Sequence, residues 1–191
     1  MPDRPTQILE AAARLIARRG VRGLRVEEVS TEAGVSTALI YYHFKDRAGL
    51  LRRTLEFIGR RAVRYTDPAL HTAADPRTRL TDLLLLELQD TPRVRENSAA
   101  WGELRATAVF DPELREQLAA ATEEWADDLA HLVRQAQTAG QTAPGVDPRA
   151  AAERLTALVE GVSERWLSGT TTLDRARELL RGAVAVELGQ P

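Results

Sequence analysis

The sequence predicts an all-α protein of about nine helices. Apolar residues recur at the 3.6-residue helical period nearly throughout, and no stretch alternates long enough for a strand. Two of the periodic runs also open on an Asp-Pro pair, an N-cap acid before a proline at the first helical position. With 191 residues, 43% apolar and 28% charged, the chain can fill a core and is neither disordered nor fibrous.

The first helix is expected from about Thr6 to Arg19, with Ile8, Ala12, Leu15 and Ile16 on one face and Gly20 as its stop. A short helix covers about Val26 to Ala33, and Gly34-Val35 makes a turn. Ser36 caps a third helix through about His43, and Asp46 caps a fourth whose stripe is Leu51, Leu55, Ile58 and Ala62. The segment Thr66–Pro76, with two prolines, reads as a joint between two parts. Further helices are expected at about Arg77–Asp90, Glu96–Phe110, Pro112–Ala139, Pro148–Ser168 and Leu173–Leu188, with Gly140 and Gly169 as stops. The division that follows is a head over 1–50, a connecting helix over about 47–65, and a body over 66–191.

Many functions are excluded. Without cysteine there is no disulfide, thiolate nucleophile or Cys-ligated zinc, and His43, His71 and His131 fit no metal spacing. His71 and His131 read as solvated or core-edge residues, and the acids Glu123, Glu124, Asp127 and Asp128 as a wet helix face. No nucleophile elbow, phosphate loop or paired-histidine helix occurs, so neither an enzyme nor a cofactor is expected. No apolar run approaches the ~18 residues of a membrane span, and no export signal precedes the first helix. The expectation is a soluble, cytoplasmic protein with no membrane partner.

Charge is unevenly placed. Residues 1–65 carry 13 Lys+Arg against 7 Asp+Glu, a net of +6, and the remainder carries 13 against 21, a net of −8. A basic head on an acidic body points one end at a polyanion. Lys45 is the only lysine, against 25 arginines.

The informative stretch is Arg25–Phe44, two short helices meeting at a Gly34-containing turn. Val29, Ala33, Val35, Ile40 and Phe44 are spaced to pack the pair together. Thr37, Ala38, Tyr41 and Tyr42 then face away, with Leu39 between. Small residues at the start of such a helix let its backbone approach base edges, and Thr37 offers a hydroxyl. The tyrosine hydroxyls and His43 can reach phosphates. Arg47, a cation at a helix N-terminus, is unfavourable for the helix dipole and suggests an anion outside.

Ala33-Gly34-Val35-Ser36, Tyr41-Tyr42-His43-Phe44, Leu50-Leu51 and the first-helix pattern through Gly20 together resemble the TetR family of bacterial transcriptional regulators, over Thr6 to about Leu51. The resemblance implies DNA contacts from Ser36, Thr37, Ala38, Leu39, Tyr41, Tyr42, His43 and Arg47, with Arg25 and Glu27 at the start of the second helix. Arg25 departs from the family's usual Ser or Thr cap, and Arg47 stands where lysine is usual. Thr37 and Ala38 stand where lysine and glycine are frequent, so the base preference is this chain's own.

Residues 76–188 resemble, more loosely, the C-terminal part of BetI-type members. Trp101, Arg105, Phe110 and Trp125 are the candidate effector contacts: aromatics beside carboxylates suit a cation, and Arg105 suits an anion equally. Near the C-terminus, Leu155, Leu158, Val159, Val162 and Trp166 line one stripe, and Leu173, Ala176, Leu180 and Ala183 the next. These faces could cover a ligand core or pair with a second copy in a four-helix bundle; the resemblance implies the second. The whole reads as a repressor that binds a palindromic double-stranded DNA operator as a homodimer and is released by a small molecule. A DNA-binding protein without effector and an all-α enzyme are the rivals.

Overall fold

The computed structural model describes residues 3–72 and 75–190, with the side chains of 63–72, including that of His71, outside the description. Among the described residues there are nine helices and no strand: α1 (Arg4–Arg19), α2 (Val26–Ala33), α3 (Thr37–Phe44), α4 (Arg47–Thr72), α5 (Pro76–Leu86), α6 (Pro92–Ala108), α7 (Pro112–Thr138), α8 (Pro148–Leu167) and α9 (Leu173–Leu188). The caps explain most of the starts. Carboxylates of Asp3, Asp75 and Asp147 accept from backbone N–H groups in the first turns of α1, α5 and α8. Thr91 and Asp111 do the same for α6 and α7.

Some boundaries differ from the sequence reading. The helix expected to reach Asp90 ends at Leu86, and the next begins at Pro92 rather than Glu96. The Thr91-Pro92 pair is the same start signal as Asp111-Pro112, with a hydroxyl in place of the acid. Pro68 lies inside α4 instead of in a joint, because a helix can continue past the loss of a single backbone hydrogen bond.

The chain forms two compact units, which do not coincide with the expected head and body: residues 1–61 with 96–121, and 62–95 with 122–191. In the first, Ile8, Ala12, Leu15 and Ile16 of α1 pack with Val29, Ile40, Phe44, Leu51, Leu55 and Ile58, joined by Leu104 of α6 and Leu114 of α7. Each large side chain contributes roughly 1.5–3 kcal/mol on burial, and Ile40 and Phe44 are the two buried residues that hold α3 to this core. In the second unit, leucines of α5 and α7 pack with the inner faces of α8 and α9. Arg77 closes it, donating through Nη1 to the carbonyls of Gln141 and Gly189 at 2.7 Å. The acids of α7 do face water, and Arg149 of α8 gathers two of them, Glu123 and Asp127, together with Glu153.

The α8 and α9 stripes differ most from expectation. Leu155, Val159, Val162 and Trp166, with Ala176 and Leu180, are buried in the chain's own core and cannot also form an outward seam. Leu158, Leu173 and Ala183 remain half open. Helical periodicity marks an apolar stripe without saying what covers it. The open residues here are Ala157, Leu158 and Gly161 on α8 and Leu179, Gly182, Ala183 and Val186 on α9. A bidentate pair from Arg154 to Glu187, at 2.7 and 2.6 Å, fastens the two helices to each other.

Candidate nucleic-acid interface

The interface candidate is built from α2, the turn and α3. Gly34 takes the left-handed conformation, φ 64° and ψ 39°, which the turn requires and which L side chains disfavour. Ser36 caps α3, its hydroxyl accepting from Leu39 N–H at 3.2 Å. Arg25, at the cap of α2, makes no side-chain cap bond, so the first-turn acids Glu27 and Glu28 are left to meet the helix dipole. After α3 the chain reverses tightly into α4. Gly49 N–H donates to Asp46 Oδ1 at 2.6 Å, and a Cβ on Gly49 would lie 2.1 Å from the Phe44 carbonyl oxygen. Only glycine fits there.

With Ile40 and Phe44 turned inward, the opposite face of α3 is open. Ala38 and His43 are exposed, Thr37 and Leu39 are half-buried, and Tyr41 and Tyr42 are 46% and 80% exposed. The Tyr42 and His43 rings meet edge to face, with centroids 5.0 Å apart. Phenol, imidazole and hydroxyl groups thus share one short face with small residues at its start, which suits base edges and phosphates together.

Electrostatics sharpen the picture. Glu32 binds Arg14 and Arg18 of α1 at 2.9 and 2.7 Å, and Glu28 binds Arg19 at 2.8 Å. Those two arginines hold the Glu32 carboxyl below its ordinary range. The acids at 28 and 32 are therefore neutralised by α1. Arg22, Arg25 and Lys45 are exposed and carry no ion pair among the described residues, and Lys45 directly follows α3.

Arg47 is placed otherwise than its charge suggested. Its Nη2 donates to the Val21 carbonyl at 2.5 Å and its Nε to the Leu24 carbonyl at 3.1 Å. Two carbonyl oxygens thus face a cation at the start of α4. Lys45 was not singled out by the sequence reading. It caps the end of α3 at φ 67°, and it is the one non-glycine residue with positive φ among the described residues. Its being the chain's sole lysine was the available signal.

The candidate effector residues fall in both units. Trp101 and Arg105 lie on α6 in the first unit, the guanidinium 5.9 Å from the indole centroid. Phe110, expected on that helix, stands in the turn beyond it and is 80% exposed. Trp125 is half-buried against the core of the second unit. Among the described residues no group of three or more acids or histidines is placed to hold a metal, and His131 is exposed and bonded to Gln135. No described helix is long and apolar enough to cross a membrane.

Comparison with known proteins agrees with this arrangement. The family profile of bacterial regulatory proteins of the tetR family matches residues 8–54, and that of the C-terminal part of BetI-type transcriptional repressors matches 76–189. A TetR-family transcriptional regulator from Rhodococcus sp. is 46% identical, with 99% of this chain and 100% of that one covered and a TM-score of 0.92. A transcriptional regulator from Saccharomonospora viridis, solved in complex with choline, is 31% identical over 93% of each chain, with a TM-score of 0.82. The transcriptional regulator BetI of Brucella melitensis is 25% identical over the whole of this chain and 94% of its own length. With a helix-turn-helix of this geometry and profile matches over most of its length, the chain belongs to the TetR family of bacterial transcriptional regulators, DNA-binding proteins that are not enzymes, and carries a BetI-type C-terminal region.

Proposed function

We propose that the protein is a repressor that binds a palindromic operator as a homodimer and lets go when a small molecule binds its body. The observation that carries the reading is the open face of α3, Thr37, Ala38, Tyr41, Tyr42 and His43, in the same compact unit as the exposed cations Arg22, Arg25 and Lys45. Ser36, Leu39, Glu27 and Arg47 complete the contact set, Arg47 with its guanidinium already shared with two carbonyls. The partner copy meets the outer faces of α8 and α9, where Leu158, Leu179 and Val186 supply apolar area and Gly161 and Gly182 allow close approach. A two-fold dimer presents two copies of α3 to half-sites about one DNA turn, or a multiple of it, apart. Release requires an effector that prefers a state unable to span those half-sites. The choline in the Saccharomonospora viridis regulator makes quaternary ammonium compounds the first class to test. Arg105 already lies over the Trp101 ring, so a cation seated on that face has to displace it.

The test is a footprint of the purified protein on its own upstream region, followed by titrations on that operator and on a scrambled duplex, with and without choline. Thr37→Ala should cost about 1–3 kcal/mol on the operator and much less on the scrambled duplex. Tyr42→Phe should weaken both equally with little change in salt slope. A protein that leaves no footprint and binds both duplexes alike sinks the proposal.

A further inference from the structure

We infer that Glu103, on α6, is a positioning residue for the DNA-reading helix, acting through the Val21 backbone. The inference rests on the operator-binding reading above. Val21 is gripped at both ends: its N–H donates to Glu103 Oε2 at 3.2 Å, and its carbonyl accepts from Arg47 Nη2 at 2.5 Å. The N–H belongs to the Gly20–Val21 peptide and the carbonyl to the Val21–Arg22 peptide, so the two bonds fix the successive peptide planes on either side of the Val21 Cα. Arg47 opens α4 three residues after α3 ends, across the turn where Gly49 lies against Phe44. A continuous line of contacts therefore runs from α6 through the α1–α2 loop to the base of the recognition helix, all within one compact unit.

The approach is close. Gly20 sits at φ 73°, and a Cβ there would lie 2.6 Å from Glu103 Oε2. Glu103 is also an exposed carboxylate in a unit that must meet a polyanion, a liability unless its contact places something. Trp101 and Arg105 flank it on α6, so a displacement of that helix by an effector would reach the loop at this residue.

Charge and position make opposite predictions. Removing a carboxylate tightens binding to any duplex if charge is all that matters. Glu103→Ala should instead weaken operator binding by roughly three- to tenfold, the equivalent of one net hydrogen bond, with the salt slope unchanged. Glu103→Gln keeps an oxygen for the Val21 N–H and removes the charge, so its operator affinity should equal or exceed that of the parent. Glu116→Ala, an exposed carboxylate on α7 of the same unit, is the charge control. The experiment is fluorescence anisotropy of the full-length protein on operator and scrambled duplex at several salt concentrations, with circular dichroism as the check on folding. A double-mutant cycle with Arg47→Ala should show coupling between positions 47 and 103. The inference is overturned if the Ala and Gln variants both bind more tightly, as the control does, if both weaken alike, or if the cycle is additive. A parent protein that binds both duplexes equally overturns the operator reading itself before any variant is compared.

Discussion

Replacing Arg47 with alanine separates two roles for one cation. Its guanidinium makes two charge-assisted hydrogen bonds to backbone carbonyls, Val21 at 2.5 Å and Leu24 at 3.1 Å. Bonds of that kind contribute roughly 1.5–3 kcal/mol each when sheltered, and these are only partly so, which sets the joint loss at about 2–3 kcal/mol. Removing a cation from the start of α4 returns about 0.3–1 kcal/mol through the helix dipole. The net destabilisation is about 2 kcal/mol, which for a chain of this size lowers Tm by roughly 4–8 °C. Arg47→Lys keeps the charge, but one nitrogen cannot reproduce the spacing of Nε and Nη2, so about half of that loss should remain. The assay is a thermal melt of each variant beside an operator titration across salt concentrations. A Tm within about 1 °C of the parent, with a salt slope shallower by about one unit, would put the guanidinium on a phosphate and refute the stability argument.

Other perturbations probe different links. Gly49→Ala drives a Cβ to 2.1 Å from the Phe44 carbonyl and should destabilise the α3–α4 turn by about 1–3 kcal/mol or more, with operator affinity falling in step; calorimetry and titration check it. Leu158→Glu with Val186→Glu should yield folded monomers in sedimentation, whereas Val162→Glu, at a position only 2% exposed, should unfold the chain. Glu32, held below its ordinary value of 4.5 by Arg14 and then Arg18, adds stability above that value and loses it as pH falls through its depressed one. Glu32→Gln should therefore flatten the acid side of a Tm-against-pH curve.

Local chemistry was legible wherever it was local. Caps and stops place α7, α8 and α9 within a residue, and the Ala33–Ser36 turn fell where its residues required. The start of α6 was equally legible in Thr91-Pro92, but a hydroxyl cap is a quieter signal than the acid of Asp111-Pro112. Periodicity marked the stripes of α8 and α9 without telling an inner face from an outer one, and Val159 and Leu180, which the resemblance assigns to a seam between copies, lie in the chain's own core. The bonds from Arg47 to Val21 and from Val21 to Glu103 span 26 and 82 positions, and nothing in a linear pattern announces a contact at such separation. A lone cation at a helix start suggests an anion outside, and the Val21 and Leu24 carbonyls that also face Arg47 lie far from it in the sequence.

Lys45 has one further consequence. It holds the chain's single ε-amine, exposed at the end of the recognition helix. A reagent that acylates amines therefore has one side-chain target, and the rate at which Lys45 is labelled reads whether the C-terminal end of α3 is covered or bare. A lysine-specific protease likewise has a single place to cut, between α3 and the helix that anchors it. Protection of that one bond by duplex, and its return on adding an effector, would follow the regulator's occupancy without any engineered tag.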